Sequence, residues 1–174
     1  MRKNKADVFV GADIAHQFTA QLRGILSVEE YSLGFILSSL QFTFGEHHWN
    51  ATTDIIGQFS THGLLLKQCF IQRNGGEILR ISGLASTEKF NNLNVGIYGF
   101  DLPDIITFPF IDGSVKSLLQ TLEGKIDSLV LTANGKFSNP DMTLQTAIKK
   151  IKYNNVYVGD QVIHAESKDS VITG

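Results

Sequence analysis

Cysteine is almost absent from this chain: the one thiol, Cys69, cannot close an internal disulfide, and no CxxC or His/Cys spacing suits a zinc site. A lone Cys inside an apolar stretch is compatible with a reducing or an oxidising compartment, so the compartment stays open. An excess of one charge is also missing. Fifteen Lys and Arg stand against 17 Asp and Glu for a net charge of −2, which leaves no basic surplus to neutralise a phosphate backbone and excludes nucleic acid as a first choice of partner. Long apolar runs are lacking too: stretches such as Leu64-Leu65-Leu66 fall far short of the roughly 18 residues a membrane-spanning helix needs. Arg2, Lys3 and Lys5 followed by Val8-Phe9-Val10 begin like a signal peptide, but Asp13 and His16 interrupt the apolar region and no small-residue cleavage site follows. Met1 is therefore read as the start of an internal fragment.

What the chain does have is apolar material, 43% of its 174 residues with 12 Phe, enough for one domain with a real core. Its arrangement has a period of two, the pattern of a strand whose faces meet different environments. Leu40, Phe42 and Phe44 share one parity; Leu79 and Ile81 alternate with Ile78, Arg80, Ser82 and Leu84. Leu64 to Gln72, Leu93 to Phe100, Lys125 to Ala133, Met142 to Ile148 and Val156 to Ala165 read as further strands. Between them fall the turn signals Gly45-Glu46, Asn139-Pro140-Asp141, Asn154-Asn155, Gly159-Asp160 and, best of all for a hairpin, Asn74-Gly75-Gly76. Asp13 to Leu26 and Tyr31 to Leu40 fit helix or strand and are assigned to strand. Asp112-Gly113-Ser114, the stripe Val115, Leu118, Leu119, Leu122 and the stop at Gly124 predict one short helix near 114–123. Similar segments beginning at Gly24, Gly83 and Gly135 suggest a strand-turn-strand repeat with units starting near 22, 81 and 133.

Constellations for catalysis are thin. His47-His48 with Glu46 and Trp49 suggest a solvated turn more than a metal site. Ser60, His62 and Asp54 could be drawn as a triad, but no Gly-x-Ser-x-Gly elbow frames the serine. Glu29-Glu30 and the pair Asp101 and Asp104 flank turns, where carboxylates serve solubility and capping. No glycine cluster opens a phosphate-binding helix, and Cys69 has no basic neighbour to activate it. Asn50-Ala51-Thr52 matches a glycosylation acceptor, a pattern frequent by chance. No enzyme activity, cofactor or metal is expected.

The order from Trp49 through Asp54-Ile55-Ile56, Gly63-Leu64-Leu65-Leu66, Cys69-Phe70-Ile71, Gly76-Glu77-Ile78-Leu79-Arg80-Ile81-Ser82-Gly83 and Leu93-Asn94-Val95 to Phe100-Asp101-Leu102 resembles the repeated β-rich region of the TamB-type translocation and assembly modules, in the AsmA-like superfamily, particularly those of Bacteroidota. The later segment, Gly124 to Leu131, Ser138-Asn139-Pro140-Asp141 and Tyr153-Asn154-Asn155, is similar to the strand pairs that follow in that family, so the likeness covers roughly residues 20 to 165. The resemblance implies an interior slice of a long periplasmic protein anchored in the inner membrane. It also implies a strongly curved antiparallel open sheet, a β-taco whose apolar groove shields phospholipid acyl chains between the membranes, and an outer-membrane Omp85-type barrel as partner of the full-length protein. On the alternating pattern, the lipid-groove candidates are Phe35, Leu37, Leu64, Leu66, Leu79, Ile81, Val95, Ile97, Leu129, Leu131, Leu144 and Ile148. Ordinary sheet packing is the alternative for each, since a one-residue slip exchanges the faces. A closed barrel or sandwich holding a small apolar ligand and a structural β-repeat without ligand also stay open, although Gly45 and Trp49 lack the spacing and position of the lipocalin Gly-x-Trp. An open sheet further predicts unpaired terminal strands through which the chain self-associates.

Overall fold

Alternation of apolar and polar residues becomes twelve strands in one antiparallel sheet in the computed structural model, which describes residues 4–14, 18–44, 47–73, 76, 78–105, 117, 120–168 and 171–173. The strands are β1 (Asn4–Ile14), β2 (Phe18–Glu29), β3 (Ser32–Phe44), β4 (His47–Ala51), β5 (Ile55–Ser60), β6 (Gly63–Arg73), β7 (Ile78–Ala85), β8 (Lys89–Asp101), β9 (Leu122–Lys136), β10 (Asp141–Tyr153), β11 (Val156–Lys168) and β12 (Val171–Thr173). One short helix, α1 (Leu102–Ile105), follows β8. Strands pair with their sequence neighbours, except that β4 and β5 share one lane between β3 and β6. The bend at Thr52 to Asp54 that divides this lane stays tied to β6: the Thr52 N–H donates to the Phe70 carbonyl at 3.2 Å and Gln68 Nε2 to the Asp54 carbonyl at 3.2 Å.

β1 and β12 lie at opposite ends of the strand order and do not pair, so the sheet is open and the closed-barrel alternative is overturned. It is also strongly curved. Trp49 on β4 and Phe100 on β8 are three strand spacings apart, about 14 Å in a flat sheet, yet their ring centroids lie 5.5 Å from each other. With no second layer among the described residues, their side chains are buried where the sheet curls over its own face. Trp49, Ile55, Cys69, Ile71, Phe100, Leu102 and Ile126 form that buried cluster, and residues from β3 and β10, far apart along the sheet, pack on it together. Bulges supply the bend: register shifts interrupt the pairing of β2 with β3, β5 with β6, and every successive pair from β6 to β11. Gly24, Gly83 and Gly135, the glycines that align in the sequence, each sit at or beside such a shift.

Several local expectations need correction. Of the helix expected near 114–123, Ser117 is helical, 106–116 and 118–119 lie outside the described residues, and the end alone is corrected: Leu122 and Glu123 belong to β9. His47 and His48 stand in a strand rather than a turn, because Phe42 and Trp49 stack at 5.7 Å with planes 6° apart and hold β4 against β3. Asn74, Gly75 and Glu77 of the expected hairpin are outside the described residues, while the strands they join pair as expected, with Gln72 opposite Ile78.

Candidate functional site, an apolar trough

Register decides which side chains share a face, since directly opposed residues point the same way. One row runs from Cys69 through Ile81, Val95 and Leu131 to Leu144; a second runs from Ile71 through Leu79, Ile97 and Leu129 to Thr146. Leu66 opposes Gly57 and Gly83, Phe35 opposes Gly57, Leu37 opposes Ile55, Leu64 opposes Phe59, and Ile148 opposes Ile126. The bulge between Leu66 and Cys69 restores the face that simple alternation would exchange. All twelve groove candidates therefore lie on the concave side. Eight of them, Phe35, Leu37, Leu66, Leu79, Ile81, Ile97, Leu129 and Ile148, pack on the buried cluster; Leu64, Val95, Leu131 and Leu144 stand outside it.

The two ends of this trough differ. At one end Phe42, Trp49 and Phe100 stack, and the Arg73 guanidinium lies 5.7 Å from the ring centroids of both Trp49 and Phe100. Arg73 is 7% exposed and its charge is met by an ion pair with Asp104 of α1. This packing fills the Trp49 end. The opposite end, where the β2–β3, β5–β6 and β7–β8 turns gather, is open: Leu33, Phe59, Leu64 and Ala85 line a cleft of about 640 Å³ rimmed by Tyr31, Thr61 and Thr87. Phe59 is 58% and Leu64 36% exposed there. The Phe35 ring lies across Gly57, where a Cβ would come within 2.3 Å of it, so this glycine lets an aromatic lie flat on the trough floor.

No family model, curated protein or solved structure matches this chain. The trough's meaning therefore rests on its own chemistry.

The polar groups singled out from the sequence do not converge. The His62 backbone N–H donates to Ser60 Oγ at 3.2 Å while its ring contacts Thr61, an arrangement that shapes the β5–β6 turn and leaves Asp54 at the other end of β5. His48 Nδ1 is 2.9 Å from Thr43 Oγ1 on the convex side; Glu46 lies outside the described residues. Asp104 is engaged with Arg73, and Asp101 is exposed. Among the described residues no three His, Cys, Asp or Glu side chains are grouped to hold a metal ion. Cys69 points into the trough, and burial pushes its thiol above the ordinary value, the opposite of an activated nucleophile. No helix among the described residues is long and apolar enough to cross a membrane. Sequence reasoning missed Trp49 and Arg73 as parts of the trough. The alternation His47, Trp49, Ala51 was the available signal for the first, and nothing local marks the burial of the second.

Proposed function

We propose that this chain is a non-enzymatic lipid-handling module whose trough shields the acyl chains of phospholipids. The observation that carries the reading is the apolar cleft at the Phe59 end, which opens onto a concave face lined by aliphatic side chains. Each methylene moved from water onto such a surface gains about 0.8 kcal/mol. A headgroup left in water at the trough's mouth needs no polar grip, and no catalytic step is required of the protein. On this reading the chain works in the periplasm as part of a longer protein anchored in the inner membrane. It supports lipid and outer-membrane protein biogenesis, with an Omp85-type barrel as that protein's partner. The packed Trp49 end favours a second reading on its own, a structural β-repeat without ligand.

Native mass spectrometry with lipid extraction separates the two. Leu66 and Ile81 pack on the buried cluster, so a charge there would unfold the sheet; Leu64 and Leu131 lie outside it. The wild-type chain incubated with phosphatidylethanolamine vesicles is expected to retain phospholipid, and Leu64→Asp combined with Leu131→Asp to lose it with circular dichroism unchanged. A wild-type chain that retains none overturns the lipid reading and leaves the structural one.

A further inference from the structure

The β5–β6 and β7–β8 turns form a ridge at the open end of the trough, and the two sides of that ridge differ in chemistry. On the concave side lies the apolar cleft of Phe59 and Leu64, which has no charged side chain in its lining. On the convex side lies a polar recess of about 360 Å³, lined by His62, Glu88, Lys89 and Asn91. Register fixes the sides: Ala85 opposes Leu64 and Phe90 on the trough side, so Lys89 and Asn91, immediately before and after Phe90, point the other way. Thr61, Ser86 and Thr87 line both spaces, so a molecule with its apolar part in the cleft reaches the recess by crossing a single ridge.

Charge at the recess is arranged for an anion. Lys89 and Lys136 stand directly opposite each other on β8 and β9, both exposed, and like charges in that position repel. The same juxtaposition of Lys125 and Lys149 is relieved by Asp127, whose carboxylate lies 2.8 Å from Lys149 Nζ. No carboxylate among the described residues makes an ion pair with Lys89 or Lys136. Glu88 lines the recess as well, but its one carboxylate is outnumbered by the two ammonium groups. Thr61 Oγ1 can donate to His62 Nδ1 at 3.1 Å, and the imidazole then carries its hydrogen on Nε2 as a further donor.

We infer that the recess holds the phosphate of a phospholipid whose acyl chains lie in the adjoining cleft, with Lys89, Lys136 and His62 as its donors. The inference rests on the lipid-handling reading above and adds a choice to it. Retention needs no grip on the head, because the tails supply it; telling a phosphate-bearing lipid from an uncharged one with the same tails does. A phosphodiester beside Lys89 and Lys136 replaces their mutual repulsion by two attractions. The charged recess repels a tail and the uncharged cleft offers a phosphate no counter-charge, so head and tails fit one way round.

The test offers the chain vesicles containing phosphatidylethanolamine and diacylglycerol with the same acyl chains, and reads what is retained by native mass spectrometry with lipid extraction. Lys89→Gln combined with Lys136→Gln is expected to lower the retained ratio of phospholipid to diacylglycerol about threefold or more against wild type, with diacylglycerol retention and circular dichroism unchanged. An unchanged ratio overturns the inference and leaves the lipid reading standing. An equal fall in a chain carrying Lys5→Gln and Lys67→Gln, which removes the same charge elsewhere, also overturns it. Inorganic phosphate alone is the probe for a soluble anion: a raised urea midpoint in the wild type but not in the Lys89 and Lys136 variant, with the lipid ratio unchanged, assigns the recess to free phosphate instead. A wild-type chain that retains neither lipid overturns both the inference and the reading beneath it.

Discussion

Arg73 shows how a charged side chain becomes part of an apolar core. Its guanidinium sits between two aromatic faces and meets Asp104, whose side chain is 26% exposed, so one side of the pair still reaches water. Asp104→Ala leaves a buried cation without this partner and is expected to lower unfolding stability by about 2–4 kcal/mol in urea titration. Arg73→Met together with Asp104→Leu should cost less than the two single changes added, because neither charge is then stranded. Cys69 gives a pH signature. Its thiol is raised by burial in the fold, so the unfolded state releases the proton first. The associated stability is complete below about pH 8.5 and is lost as pH rises through the raised folded value. Cys69→Ala is expected to flatten the decline of the urea midpoint as pH rises above about 8.5. Lys149, raised by its hydrogen bond and charge contact with Asp127, acts in the same direction at higher pH.

Bulges are the elements that turn a ribbon of strands into a trough. Gly83 stands at one of them with φ +113°, and a Cβ there would lie 2.4 Å from the Asn92 carbonyl oxygen of the neighbouring strand. Gly83→Ala should destabilise the chain by about 2 kcal/mol or more, measured by urea unfolding, and should weaken any lipid retention together with the bend. Most strands were legible because one face is apolar and the other polar, as in Leu79 and Ile81 against Arg80 and Ser82. β1 and β4 were not. β1 presents Val8-Phe9-Val10 as a run, since an edge strand of a single-layer sheet has little buried face to enforce alternation. β4 is five residues long and opens with two histidines, too little pattern to stand against a turn. Of the short helix expected near 114–123, Ser117 is helical and most of the stripe lies outside the described residues; its last member, Leu122, belongs to β9, where it opposes Tyr153 and packs on the buried cluster.

At the scale of the molecule, the described residues offer no second layer, so a sheet of twelve strands must either leave an apolar face in water or curl around it. It curls and fills one end with aromatics, while the other end stays open at Phe59 and Leu64. Retention of phospholipid by the wild-type chain, and its loss in the Leu64 and Leu131 double variant, belong to this scale. The sequence by itself determined the antiparallel β class, because side-chain alternation and turn residues are local signals with a fixed period, whereas the face the groove candidates share follows from the register and its bulges. Only the tertiary structure decided that the sheet stays open, where its ends differ, and that Trp49, Arg73 and Asp104 meet. Those contacts join strands remote in sequence, and they depend on curvature accumulated bulge by bulge, for which no single segment carries a signal.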